Sequence, residues 1–138
     1  MVNWMPKAHL LLWIDCVAAL FAGTCVVLFH KLLSHFYVLP EQLVLFIGLV
    51  NLAYGAYSLS LLRPGRATIS SISLLVVANL GWTLACAALA AWFSSSASWL
   101  GIALLVAEGA FVALLALFEW RYRSQIVACG RMGPRVGA

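Results

Sequence analysis

Four long apolar stretches divide the sequence, at residues 8–29, 43–62, 68–93 and 98–118. The hydrocarbon core of a bilayer is about 30 Å thick, and a helix of about 20 apolar residues crosses it. Each stretch is continuously apolar, without the alternation of polar and apolar residues that is typical of the strands of a membrane barrel. The pattern therefore predicts four membrane-spanning helices within a single domain, residues 1–120.

Short polar segments connect these stretches. They are residues 31–41, the turn Arg63-Pro64-Gly65-Arg66, and the serine-rich residues 94–97. Thr68 and Ser98 are suited to cap the third and fourth helices, because their hydroxyls can accept hydrogen bonds from backbone N–H groups at a helix start. Since short connections join antiparallel neighbours, we expect an all-α integral membrane protein, a four-helix antiparallel bundle.

The composition agrees with a membrane protein. Of the 138 residues, 65% are hydrophobic and only 9% are charged, whereas a soluble domain is about half apolar and a quarter charged. A soluble fold of this size cannot bury so much apolar surface. The composition therefore excludes a soluble enzyme, a disordered chain and a disulfide-stapled secreted domain.

The distribution of positive charge predicts the orientation. If the N-terminus is cytoplasmic, Lys31 lies outside and the other seven of the eight Lys and Arg residues lie inside: Lys7, Arg63, Arg66, Arg121, Arg123, Arg131 and Arg135. The positive-inside rule then places both termini in the cytoplasm. We expect residues 121–138 to form a basic cytoplasmic tail, flexible or lying on the membrane surface. Scattered arginines do not form a nucleic-acid-binding face.

Three polar residues of different helices are expected near the middle of the membrane. At about 1.5 Å per residue, Asn51 lies about 12–13 Å and Glu108 about 15 Å from the outer ends of their helices, and Asn79 about 16 Å from the inner end. Tyr54 shares the helix face of Asn51. Polar side chains that face lipid have no partner, so we expect all four to face the bundle interior.

Asp15 adds a carboxyl about 10 Å from the cytoplasmic end of the first helix. With Glu108 it would form a ladder of proton-accepting groups from the cytoplasm to the midplane. Such a ladder would suit proton-coupled transport or acid–base chemistry.

Simpler interpretations of these residues remain open. Asn51 and Asn79 could only join helices by hydrogen bonds, and Glu108 could be a satisfied carboxyl without further function. Asp15 could reach the inner interface or cap a late helix start. Glu119 is expected at the inner interface, paired with Arg63, Arg66 or Arg123.

Other candidate chemistry is sparse. Arg63 and Arg66 could hold a lipid head group, because two guanidinium groups near a turn can bind a phosphate, or they could only fix the topology. Cys25 and Cys86 lie at similar depth and could touch, but packing is the simpler role. The sequence contains no CxxC, zinc, nucleotide-binding or hydrolase motif, so no metal is predicted and any cofactor is unknown.

We therefore expect a small multi-pass membrane protein that binds, and in one version transports, a small or amphipathic molecule in an intrabundle cavity. The predicted ligand-binding residues are Glu108, Asn51, Asn79, Tyr54 and Asp15. Four helices make a thin wall for transport, so a homo-oligomer is expected. Two alternatives are a structural subunit of a larger membrane complex and a lipid-modifying enzyme with Asp15 or Glu108 as acid or base. A bacterial inner membrane is the expected location, with membrane lipids as partners.

Overall fold

The computed structural model is all-helical, and it describes the backbone of residues 5–131 and the side chains of residues 10–128. Helix α1 spans Met5–Tyr37, α2 Glu41–Leu61, α3 Ile69–Trp92 and α4 Trp99–Arg131. Each of these four helices contains a segment long and apolar enough to cross a membrane. Large apolar side chains point outward, with Phe21 and Leu84 each 71% exposed. These features indicate a multi-pass membrane protein and confirm the predicted number of spans in the described part of the chain.

Two helices are longer than the sequence predicts. Helix α1 bends at Phe29 (φ −109°, ψ 15°) and continues through most of the expected loop 31–41. It ends where Val38 adopts a positive φ of 54° and Pro40 follows, since proline cannot continue a helix.

Helix α4 passes the predicted end at residue 118 and continues to Arg131. Its last turns bury Ile126 and Val127 against Leu12 and Ile72, and this packing explains the extra length. The expected tail at residues 121–138 is therefore helical as far as Arg131, and residues 132–138 lie outside the described part.

The predicted helix caps are confirmed. The Thr68 hydroxyl accepts a hydrogen bond from the backbone N–H of Ser71, and the Ser71 hydroxyl accepts one from the backbone N–H of Thr68. At the start of α4, the Ser98 hydroxyl accepts a hydrogen bond of 3.1 Å from the backbone N–H of Gly101. Each cap satisfies donors that the first turn of a helix leaves free.

The helices pack as two pairs. Helix α1 packs along α2, α3 packs along α4, and contacts between α1 and α4 join the pairs. The backbone N–H of Ser98 donates to the Tyr37 carbonyl over 2.9 Å, so the α1–α2 and α3–α4 connections meet at one end of the bundle. We call this the two-loop end, and the opposite end, which holds the α2–α3 connection, the terminal end.

Each end of the bundle has its own apolar cluster. The terminal end buries Leu12, Leu61, Ala67, Ile72, Leu75, Ile126 and Val127. The two-loop end buries Leu39, Val44, Ile47, Ala90 and Leu105. The level between them contains the four buried polar residues of the described chain: Asp15, Ser58, Asn79 and Glu119.

Glycines allow α1 and α2 to approach closely. A Cβ atom on Gly23 would lie 2.8 Å from the Leu52 backbone nitrogen and 2.9 Å from the Gly48 carbonyl oxygen. A Cβ atom on Gly55 would lie 2.8 Å from Leu20 Cγ. Small residues are commonly found where membrane helices approach this closely, so these glycines set the spacing within the first pair.

We predict that Gly23→Ala lowers the free energy of unfolding by about 1–3 kcal/mol, because the added methyl group meets rigid backbone. Gly81→Ala is the matched control, since a Cβ atom there meets nothing within 4 Å and alanine is the better helix former. Reversible unfolding in mixed micelles of increasing denaturing detergent measures both variants. Equal effects of the two substitutions would contradict the proposed packing role of Gly23.

Candidate functional site

A partly open cavity of about 670 Å³ lies among the four helices. Residues of all four helices line it, and most of them are alanine, valine and leucine. Its polar lining residues include the five predicted ligand-binding residues: Asp15, Asn51, Tyr54, Asn79 and Glu108. The structure thus places all five on the wall of one cavity. Whether they bind a ligand stays a prediction.

Glu108 connects three helices through a single oxygen. Its Oε1 atom accepts a hydrogen bond of 3.0 Å from Asn51 Nδ2 on α2 and one of 2.8 Å from Trp82 Nε1 on α3. Asn51 Nδ2 also donates to the Ile47 carbonyl over 3.1 Å. Glu108 Oε2 receives no hydrogen bond from the described residues, and this half-buried side chain lines the cavity.

Trp82 was not predicted as a partner of Glu108, although its spacing from Asn79 in the sequence indicates that it faces the bundle interior. It follows Asn79 by three residues, so both lie on one face of α3. A tryptophan N–H that is removed from water needs an acceptor, and Glu108 supplies it. An aromatic residue one turn from an interior asparagine is therefore a recognisable polar position.

Asp15 joins α1 to α2. Its Oδ2 atom accepts hydrogen bonds of 2.8 Å from the Tyr54 hydroxyl and 2.7 Å from the Ser58 hydroxyl. The Asp15 side chain is 1% exposed. The interpretation in which Asp15 reaches the inner interface is therefore wrong, because neighbouring hydroxyls hold the carboxyl inside the bundle.

Asn79 is hydrogen-bonded to Glu119 and not to Glu108, the acidic residue expected at a similar depth. Its Nδ2 atom donates to Glu119 Oε2 over 3.1 Å, which joins α3 to α4. Glu119 is fully buried, so the expectation that it lies at the interface beside arginines is wrong. Glu108 and Glu119 are eleven residues apart, about three helical turns, and therefore face the same side of α4.

Glu119 has an unusual second oxygen. Its Oε1 atom is buried and has no hydrogen-bond partner within the described residues. The Tyr54 hydroxyl lies close to Asn79, Glu119 and Asp15, so the two buried carboxyls belong to one polar layer. Arg123, one of the expected partners of Glu119, instead lies over the Trp120 ring at 4.0 Å.

The interior of the bundle is acidic. Asp15 and Glu119 contribute two carboxyls to the polar layer, Glu108 adds a third about three turns from Glu119 along α4, and no Lys, Arg or His lines the cavity. Within residues 10–128 there is one salt bridge, between His30 Nε2 and Glu41 Oε1, which lie 3.2 Å apart and are partly exposed. Hydrogen-bond donors of neutral side chains therefore hold the interior carboxyls in place.

The remaining predicted site residues lie away from the cavity. Arg63 and Arg66 are exposed in the turn between α2 and α3, so binding of a lipid head group stays a prediction. Cys25 and Cys86 are free thiols. Cys25 lines the cavity, whereas Cys86 is buried against Gly109.

Comparison with known protein families, with curated proteins and with solved structures finds no match to this chain. The polar layer and the cavity are therefore the features of this chain that bear on its function.

Proposed function

We propose that the chain binds a small amphipathic molecule in the cavity among its four helices. The observation that supports this most directly is the composition of the cavity wall. Five polar side chains from four helices face a space of about 670 Å³ that is otherwise mainly apolar. Small-molecule sites typically have volumes of about 300–1,000 Å³ and combine an apolar lining with a few convergent polar groups.

Unused hydrogen-bonding capacity also supports binding. In both Glu108 and Asp15, one oxygen accepts two hydrogen bonds and the other accepts none from the described residues. Both residues line the cavity. A carboxyl oxygen on a mainly apolar wall gains from a hydrogen-bond donor, and a bound molecule would supply one.

The same proposal includes the orientation in the membrane. The meeting of the α1–α2 and α3–α4 connections at one end supports an antiparallel bundle. Lys31 lies toward that end, whereas Arg63, Arg66, Arg121 and Arg123 lie toward the terminal end. The positive-inside rule favours a cytoplasmic terminal end, with both termini on that side and the bacterial inner membrane as the location.

Transport and assembly extend the proposal. Movement of the ligand requires the cavity to open toward both sides of the membrane in turn. Four helices place only one layer of protein between such a path and the lipid, so a homo-oligomer or a larger membrane complex is the expected assembly. Arg63 and Arg66 would then bind the phosphates of inner-leaflet lipids.

We predict that Ala18→Trp abolishes ligand binding, because Ala18 lines the cavity and an indole ring would fill much of the space beside Asp15. Native mass spectrometry of protein released from its own membranes measures co-purified molecules. The wild-type chain should carry a bound mass that the variant has lost by at least about tenfold.

Ala87→Trp is the control for this substitution, since Ala87 is exposed on α3 and does not line the cavity. It should retain the bound mass. This control shows whether a tryptophan on the outer surface changes the amount of co-purified lipid. Equal occupancy in the Ala18 and Ala87 variants would contradict binding in the cavity.

A further inference from the structure

The donors around Glu108 and Asp15 are engaged, whereas each of these carboxyls keeps one unused oxygen. The two N–H groups of the Asn51 amide point to Ile47 O and Glu108 Oε1. The Trp82 N–H points to Glu108 and the Tyr54 hydroxyl to Asp15. Among the described residues, the second oxygens of Glu108 and Asp15 accept nothing. A molecule that binds these free oxygens must therefore bring hydrogen-bond donors.

The charge of the wall restricts the ligand further. Two of the lining residues, Glu108 and Asp15, have acidic side chains. No basic side chain lines the cavity to balance them. An anionic head group would meet two carboxyls without a counter-ion, at a large cost in a medium of low dielectric constant. A cationic donor would instead provide the missing opposite charge.

The rest of the wall suits an apolar body attached to such a head group. Trp82, Tyr54 and Phe111 add aromatic rings to a lining made mostly of aliphatic side chains. Aromatic faces attract cations as well as apolar groups. The polar and apolar parts of the wall thus match the two parts of one amphipathic molecule.

We infer that the ligand is a lipophilic amine, whose N–H groups bind the free oxygen of Glu108. This inference rests on the proposed function and specifies its ligand class. Glu108 is the principal anchor, because Asn51 and Trp82 fix its orientation and because the side chain is less buried than Asp15. A fatty acid lacks the required charge, and a quaternary ammonium lacks the N–H donors.

The test uses three probes of equal shape: 2-(1-naphthyl)ethylamine, 2-(1-naphthyl)ethanol and 1-naphthylacetic acid. The chain is placed in nanodiscs of zwitterionic phosphatidylcholine, so that anionic lipid does not attract the amine. Titration calorimetry gives the affinities, and nanodiscs without protein give the background. We expect the amine to bind at least about tenfold more tightly than the alcohol, and the acid to bind most weakly.

Glu108→Gln separates head-group recognition from the shape of the cavity. The glutamine carbonyl can still accept hydrogen bonds from Asn51 and Trp82, while the free carboxyl oxygen becomes a donor. Affinity for the amine should fall by about 10- to 100-fold, as expected for the loss of a charge-assisted hydrogen bond. Affinity for the alcohol should change by less than about threefold. This unchanged value would also show that the variant is folded.

Glu41→Gln is the matched control, because Glu41 is 48% exposed and lies at the start of α2 away from the cavity wall. It should bind the amine like the wild-type chain. Equal affinities for amine and alcohol, an unchanged amine affinity in Glu108→Gln, or the absence of binding by all three probes would each overturn the amine assignment. The comparison of the Ala18 and Ala87 variants tests the cavity itself, so the two proposals can fail separately.

Discussion

Asp15→Ala is expected to lower the free energy of unfolding by about 2–3 kcal/mol. The substitution removes the acceptor of the Tyr54 and Ser58 hydroxyls, which donate to one carboxyl oxygen over 2.8 and 2.7 Å. Interhelical hydrogen bonds in membranes contribute about 0.6 kcal/mol on average and up to about 1.7 kcal/mol each. We expect each of the two hydrogen bonds to the carboxyl to contribute a free energy at the upper end of that range. The lost packing of the Asp15 side chain adds to the effect.

Asp15→Asn is the control for shape, because its amide oxygen can accept both hydrogen bonds. We expect a loss below about 1 kcal/mol. Unfolding titrations in mixed micelles compare the two variants with the wild-type chain. If alanine were tolerated as well as asparagine, the two hydroxyl bonds would not contribute to the attachment of α1 to α2.

Glu119→Ala is expected to have an effect of similar or larger size, about 2–4 kcal/mol. The Glu119 side chain is fully buried, so truncation leaves a void. Truncation also leaves Asn79 Nδ2 without the acceptor that lies 3.1 Å away in α4. The same unfolding titration measures this loss.

Glu119→Gln keeps the volume and an acceptor for Asn79, and we expect it to unfold within about 1 kcal/mol of the wild-type chain. The second oxygen of Glu119 has no partner among the described residues, so an amide nitrogen in its place breaks no hydrogen bond that the structure shows. A loss in Glu119→Gln as large as in Glu119→Ala would mean that this oxygen has a bound partner.

The sequence was sufficient for the spans and for one polar contact. Continuous apolar stretches fixed the number of helices, because the thickness of the hydrocarbon core sets their minimum length. Depth and helical periodicity together placed Asn51 and Glu108 at one level, and the structure joins them by a hydrogen bond. The depth of a residue and the helix face on which it lies both follow from the geometry of a single helix, so both could be predicted without knowledge of the packing.

The error at Glu119 has a physical cause. The predicted end of the fourth helix at residue 118 placed Glu119 at the membrane interface, where arginines are natural partners. In the structure α4 continues to Arg131, and Ile126 and Val127 are buried beyond it. Helix ends depend on tertiary packing, which hydropathy alone does not describe.

The pairing of Asn79 could not be predicted for a related reason. Periodicity places Glu108 and Glu119 on the same face of α4, but the offset between α3 and α4 decides which of them meets Asn79. That offset depends on close contacts such as the approach of Gly109 to Cys86. Such contacts depend on how complete side chains fit together, and the spacing of polar residues along one helix contains no information about them.

The bonding of Glu108 has a mechanical consequence. Because Asn51 of α2 and Trp82 of α3 donate to the same atom of α4, any change in the charge on this atom strengthens or weakens both bonds together. A cation bound at the neighbouring oxygen would draw electron density from it and loosen two helices at once. The occupied and empty bundles would then differ in stiffness through the response of a single carboxyl group.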